Sequence, residues 1–252
     1  MMFKNKTVVI TGAAKGIGAS CARLFHRASA NVAILDVDEA PSEFSDEQYF
    51  YLKCDVSRDN KVKEAFKEIN NRYGNIDFLV NNAGIQRYGT VTETSIEEWD
   101  LIFNVNLKSQ FLCAKYAIPY MLEQKRGVII NISSVQAFLS QEKVAAYTTA
   151  KTATLGLTRS IAIDYAPHIR CVAVCPGTID TPMLREAINL SPNPEGVLQE
   201  CVNMHLLERI GKPDEVAELV FFLCDDKASF ITGQAIRIDG GIGIAIGGSK
   251  RD

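Results

Sequence analysis

Histidine is scarce in this chain of 252 residues, and its cysteines follow no ligand spacing. His26, His168 and His205 lie far apart, and none of Cys21, Cys54, Cys113, Cys171, Cys175, Cys201 and Cys224 forms a CxxC pair. No metal site is visible in that pattern, and none is expected. An odd number of cysteines in a chain this long also argues against a disulfide framework. They read as buried thiols packing like small hydrophobes. Cys171 and Cys175 stand two strand periods apart in RCVAVC and should face the same side. No uninterrupted apolar run of eighteen residues occurs, and the apolar part of MMFKNKTVVIT is too short for a secretory signal. The expected setting is soluble, intracellular and cytoplasmic, with no membrane partner. The net charge is -3 and no block of Lys or Arg stands out, so nucleic acid is a poor candidate partner.

What is present is a large apolar fraction, 47%, enough for the core of one α/β domain over residues 1–252. Strands are expected at 6–11 (KTVVIT), 31–36 (NVAILD), 77–81, 127–132 (GVIINI), 170–175 and 234–238. Helices are expected at 19–27, 60–73, from Ser95 into the 120s, at 145–165 and at 213–224. Val62, Ala65, Phe66 and Ile69 show helical spacing, and Gly74 is a natural stop. Several strands are continuously apolar, as expected where both sheet faces are covered. The alternation predicts a doubly wound, Rossmann-type parallel sheet with helices on both faces, and a site at the strands' carboxyl ends. Residues 183–209, including SPNPEG, read as an excursion that covers substrate or as a plain surface insertion.

The first strand runs into Thr11-Gly12-Ala13-Ala14-Lys15-Gly16-Ile17-Gly18, with glycines spaced GxxxGxG. This is neither GxGxxG nor a P-loop. The physical logic is shared: glycines let the backbone turn tightly and approach a pyrophosphate at a helix's positive end. Asp36 ends the second strand, where a carboxylate can accept from a ribose diol and repel a 2′-phosphate. That favours NAD over NADP, with Asp38 and Glu39 adding negative charge. Lys15 argues mildly the other way.

Tyr147 and Lys151 are four apart in a helical segment and share a face. Ser134 follows the strand VIINIS, and Asn106 lies in the preceding helical region. Each is ordinary alone; the ordered set is more specific.

With TGAAKGIG at 11–18, Asp55-Val56, NNAG at 81–84, NISS at 131–134, YTTAK at 147–151 and PGTIDTP at 176–182, the whole chain resembles the short-chain dehydrogenase/reductase family. The resemblance implies a Rossmann-type fold, NAD or NADP, and a homotetramer, with the C-terminal ASFITGQAIRIDGG and the tail IGIAIGGSKRD near subunit interfaces. It implies Tyr147 as general acid/base, with Lys151 and the cofactor's positive charge lowering its pKa, and Lys151 also holding the nicotinamide ribose. Ser134, thirteen residues before Tyr147, would bond the substrate oxygen. Asn106 would anchor a helix irregularity and a water relay. Asp55 and Val56 would flank adenine, Asn81, Ala83 and Gly84 would line the dinucleotide, with Asn81 in part structural, and Pro176, Gly177, Ile179 and Thr181 would fix the nicotinamide end through backbone groups and the Thr181 hydroxyl.

The substrate is framed by residues 85–94, 135–146 and 183–209. Gln136, Gln141, Glu142, Lys143, Gln86 and Arg87 suit a polyhydroxylated ligand, or else point into solvent. NISSVQA, IAIDYAP, RCVAVCPGTIDTPMLREA and RIGKP resemble the archaeal aldohexose and glucose 1-dehydrogenase branch, which implies oxidation of an aldose to a lactone. The 135–146 loop departs from that branch after Ala137, so the particular sugar stays open. A 3-oxoacyl-carrier-protein reductase or another polyol or secondary-alcohol dehydrogenase would share the same centre. A non-catalytic NAD-binding regulator would not need the intact Ser–Tyr–Lys set.

Overall fold

The computed structural model describes residues 2–44 and 49–244. Seven parallel strands form one sheet in the order β3-β2-β1-β4-β5-β6-β7. They are β1 (Thr7–Thr11), β2 (Asn31–Asp36), β3 (Tyr49–Lys53), β4 (Phe78–Asn81), β5 (Gly127–Ile132), β6 (Ile169–Pro176) and β7 (Ala235–Ile238). The order reverses between β1 and β4, the switch point where such sheets open a crevice at their carboxyl ends.

Strand sequence explains the two layers. Val8 and Ile10 of β1 face one core with Phe25, Val216 and Val220, from α1 (Gly16–Arg27) and α8 (Pro213–Cys224). Val9 faces the other core with Val62, Phe66, Leu112 and Ile161, from α2 (Asp59–Tyr73), α4 (Ser109–Glu123) and α5 (Ala145–Tyr165). Every residue of β1 is buried, so the unbroken apolar run is the signature of a strand covered twice. The same parity puts Cys171, Ala173 and Cys175 on the α5 side, as expected. Six of the seven thiols are buried; Cys201 is half-buried.

The helical region after Ser95 is α3 (Ile96–Phe103), a π-turn at Asn104–Lys108, and α4 without a break. Ser95 caps it by accepting from the Glu98 N–H at 3.1 Å. The anticipated irregularity is this wide turn, which carries Asn106 inward.

Three differences from the sequence expectations have physical causes. β3 has no counterpart among the expected strands. It is an edge strand with three half-buried positions, so YFYLK shows neither alternation nor an unbroken buried run. α1 begins at Gly16, not Ala19; Gly16 and Gly18 have low helix propensity, so its first turn carries no helical signal in the sequence. The 183–209 excursion contains two helices, α6 (Pro182–Ile188) and α7 (Pro194–Asn203). Its base is pinned where Gly211 donates to the Thr178 carbonyl at 2.8 Å and accepts from the Asp180 N–H at 2.9 Å. Residues 245–252 of the expected interface tail lie outside the described residues. Among the described residues, no helix is long and apolar enough to cross a membrane.

Asp77 locks β1 to β4. Its carboxylate is fully buried, accepts from the Thr7 N–H at 2.9 Å and pairs with Lys6 at 2.7 Å. Removing it leaves the buried Thr7 N–H without its acceptor and the partly exposed Lys6 ammonium without its partner. Asp77→Ala should cost about 3 kcal/mol in denaturant unfolding, with Asp77→Asn nearer wild type; a loss below about 0.5 kcal/mol for Asp77→Ala would contradict this role.

Candidate functional site

The crevice begins at the turn between β1 and α1. Gly12 has φ +64°, and a Cβ there would come within 2.7 Å of the Ala83 Cα. The loops after β1 and β4 are thus in backbone contact, which glycine alone permits. A Cβ on Gly18 would meet the Gly12 carbonyl oxygen at 2.5 Å. Gly16, also at positive φ, faces Thr181 at 3.5 Å or more, so the loop after β6 closes on the same turn. Sequence reasoning missed two residues here. Asn82 donates to the Thr11 and Gly12 carbonyls at 3.0 and 2.8 Å, and the Thr11 hydroxyl accepts from the Asn82 and Ala83 N–H groups. The adjacent Asn-Asn of NNAG was the available signal, and the second Asn serves the glycine turn.

The amino end of α1 is open to an anion. Lys15 stands at its N-cap without a side-chain cap, and the first turn has no acidic residue. Elsewhere α3 and α6 use Ser95 and Thr181 for that purpose. The uncapped N–H groups and helix dipole suit a pyrophosphate. Ile17 is half-buried behind the turn. Asp36, 8% exposed, accepts from the Ala14 N–H at 2.8 Å and the Asp38 N–H at 3.1 Å. Its four acceptor sites leave room for a ribose diol. Lys15 is exposed and lies 3.2 Å from Asp38, which raises its pKa. Asp55 accepts from the Ser57 N–H and hydroxyl and lies 3.3 Å from Arg58, while Val56 is buried against the core.

Asn81 goes elsewhere. It ends β4 in register with Asn131 of β5, and its carboxamide donates to Asn131 at 2.8 Å. Asn131 donates in turn to Thr158 at 3.0 Å. Its side chain serves the sheet rather than the loop, because at that register it points into the buried α5 side.

The four expected catalytic residues converge at the end of β5. Tyr147 and Lys151 lie one turn apart on α5, and the Lys151 Nζ is 5.6 Å from the Tyr147 ring centre. Lys151 is 3% exposed and donates to the Ile132 carbonyl at 2.9 Å. Burial pulls its pKa down to about 8. Burial pushes the Tyr147 phenol up to about 12, against a lowering hydrogen bond with Ser134. The expected drop toward neutrality is therefore not a property of the protein alone; it requires added positive charge beside the phenol. Of the two serines, Ser134 faces Tyr147, and Ser133 donates to the Lys151 backbone carbonyl at 2.7 Å. Asn106, fully buried, clamps Ile85 by two 2.9 Å bonds, accepting from its N–H and donating to its carbonyl.

The outer wall mixes polar groups with the exposed apolar side chains of Tyr88, Phe138 and Leu139. Gln136 donates to Gln141 at 3.4 Å and accepts from Thr148 at 3.4 Å. Gln136 is half-buried and Gln141 exposed; Glu142, Lys143 and Arg87 are exposed too. Gly89 donates to the Lys143 carbonyl at 2.6 Å, which ties 85–94 to 135–146. Across the crevice, Pro176 ends β6 and Gly177 donates to the Ile238 carbonyl at 3.0 Å. Ile179 is buried, and the Thr181 hydroxyl caps α6 by accepting from Leu184 at 3.3 Å.

A family model described as enoyl-(acyl-carrier-protein) reductase matches residues 12–243. An uncharacterized oxidoreductase of Thermotoga maritima is 40% identical, over 96% of this chain and 98% of its own length. A 3-oxoacyl-(acyl-carrier-protein) reductase of the same organism is 36% identical, over 96% and 99%. The solved structure of Thermoplasma acidophilum aldohexose dehydrogenase superposes with a TM-score of 0.93 at 42% identity, covering 99% of this chain and 98% of that one. The chain belongs to the short-chain dehydrogenase/reductase family. As a member it is an oxidoreductase acting on a CH–OH group, with a Rossmann-type site for NAD or NADP.

In this short-chain dehydrogenase/reductase the glycine at position 84 has a measurable duty. A Cβ there would sit 2.7 Å from the Asn106 Oδ1 and 3.4 Å from the Lys151 Nζ. Gly84→Ala should fold but displace the Asn106 side chain and crowd the Lys151 amine, lowering kcat about tenfold or more, which is at least ~1.4 kcal/mol at the transition state. Unchanged kcat would show that neither side chain needs its present place.

Proposed function

We propose that this protein is an NAD-dependent sugar dehydrogenase that oxidises the anomeric hydroxyl of an aldose to a lactone. The observation that carries this reading is the full-length likeness to the Thermoplasma acidophilum aldohexose dehydrogenase. Three polar side chains at the mouth support it: Gln136, Gln141 and Thr148 offer partners that buried sugar hydroxyls require.

NAD supplies the acceptor for the hydride leaving the substrate carbon. Tyr147 takes the hydroxyl proton onto its phenolate oxygen, and Ser134 donates to the substrate oxygen. The Lys151 ammonium favours the phenolate and holds the nicotinamide ribose. Asn106 keeps Ile85, and so the wall beside Lys151, in place, and carries the proposed water relay. Gly12, Gly16, Ile17 and Gly18 seat the pyrophosphate. Asp36 takes the adenosine ribose, and its charge opposes a 2′-phosphate. Lys15 is a weak counterweight because Asp38 already pairs with it. Asp55 and Val56 flank adenine; Ala83 and Gly84 line the middle of the dinucleotide. Pro176, Gly177, Ile179 and Thr181 hold the nicotinamide end, with the 183–209 excursion over the substrate. A homotetramer is part of the same reading; Phe111 on α4 and Ile163 on α5 are exposed apolar side chains available to it.

A second reading, 3-oxoacyl-(acyl-carrier-protein) reduction, is favoured by the Thermotoga maritima relative of that name. Aldoses, polyols and 3-oxoacyl thioesters, each assayed with both nucleotides, separate the two. Aldose oxidation with NAD is expected; turnover of thioesters alone, with NADPH, would replace the sugar reading. On the active substrate, Tyr147→Phe should lose at least ~10²-fold in kcat while NAD still binds. Near-normal turnover would remove Tyr147 from the chemistry.

A further inference from the structure

His205 follows α7 and turns back into the protein, 3% exposed. Its Nε2 accepts from the Thr178 N–H at 3.2 Å, and its Nδ1 lies 2.6 Å from the Cys201 carbonyl oxygen. An amide N–H only donates and a carbonyl only accepts. The two partners therefore assign the tautomer, with the proton on Nδ1 and a lone pair on Nε2.

The ring joins three pieces of chain. Cys201 belongs to the last turn of α7, whose carbonyls lack partners within the helix. Thr178 belongs to the loop after β6. Gly240, in the turn after β7 with φ +57°, packs so closely that a Cβ would meet the His205 Cδ2 at 3.1 Å. A Cβ on Gly177 would meet the His205 Nε2 at 2.9 Å. α7 itself fully buries none of its side chains, and beside His205 its carboxyl end is held by the Leu207 N–H on the Gly240 carbonyl at 3.3 Å. On its other side the same loop is held by Gly211, through the bonds to Thr178 and Asp180.

We propose that His205 is a positioning residue that locks α7 to the Gly177–Thr178 backbone, so that the excursion and the nicotinamide seat order together. This rests on the reading that residues 176–181 hold the nicotinamide end. The neutral imidazole suits the task because one ring both donates and accepts along a fixed axis. Asn can keep the Cys201 bond but is too short for Thr178. Gln can place its Oε1 near the Nε2 position and keep the Thr178 bond.

Hydrogen exchange measured by mass spectrometry tests this on the full chain, with and without saturating NAD. In the wild type, NAD should slow exchange in 11–18, 176–181 and 194–203. In His205→Asn, slowing should persist at 11–18 and disappear from 194–203. The KM for NAD should rise about tenfold with kcat within twofold, and His205→Gln should recover most of that loss. Slowing at 194–203 that survives in His205→Asn would overturn the proposal. So would a wild-type 194–203 that ignores NAD while 11–18 responds, an arm that stands even if the variant does not fold. No response at 11–18 would instead sink the dinucleotide reading beneath it.

Discussion

Lys151 places an ammonium at 3% exposure, 2.9 Å from the Ile132 carbonyl at the end of β5. Taking such a charge out of water costs several kcal/mol, which one carbonyl does not fully repay. A long apolar side chain at this point of α5 would serve stability better. The surroundings are nevertheless shaped around the amine. Gly84 gives up its Cβ beside the Nζ, Ser133 binds the Lys151 carbonyl, and the π-turn swings Asn106 against Ile85. Stability is given up at one residue, and that is the pattern of a site rather than of a core.

The same low-polarity pocket acts on Tyr147 with the opposite sign. Burial holds the phenol protonated, at about 12, while it draws the proton off Lys151, at about 8. Both groups are pushed toward neutrality, so a positive charge entering beside them meets little screening and tips the phenol strongly. The glycine turn, Asp36 and the uncapped end of α1 make a place for a dinucleotide on the near side of that pocket. In the proposed reading, the loops of the outer wall and the excursion would govern what meets it from the other side.

Sequence made the sheet legible where burial is nearly complete, because β1 and β2 carry the unbroken apolar runs VVI and VAIL, and β5 and β6 are interrupted only by Asn131 and Arg170. It failed at β3, where an open edge leaves no pattern to read. Tyr147, Lys151, Ser134 and Asn106 were readable as an ordered set, and they meet at one place. The choice of Ser134 over Ser133 agrees with which hydroxyl faces the phenol. Asn81 and Thr181 were harder, since a polar residue at a strand end or loop can turn to the ligand or to its own backbone. Here Asn81 bonds Asn131, and Thr181 caps α6. His205 was illegible for the same reason: an isolated histidine shows its purpose only when α7, β6 and the β7 turn have closed on it.

The chemistry of the pocket turns on a buried lysine whose ammonium holds its proton less tightly than an exposed one. Its most direct test is the titration of the Lys151 side chain by lysine-selective 13C NMR of the protein alone, with Lys151→Met assigning the signal. A midpoint near 8 is expected, set apart from the exposed lysines. A midpoint at the ordinary value of 10.5 would show that water reaches the amine, and the pocket described here would not be the one the molecule uses.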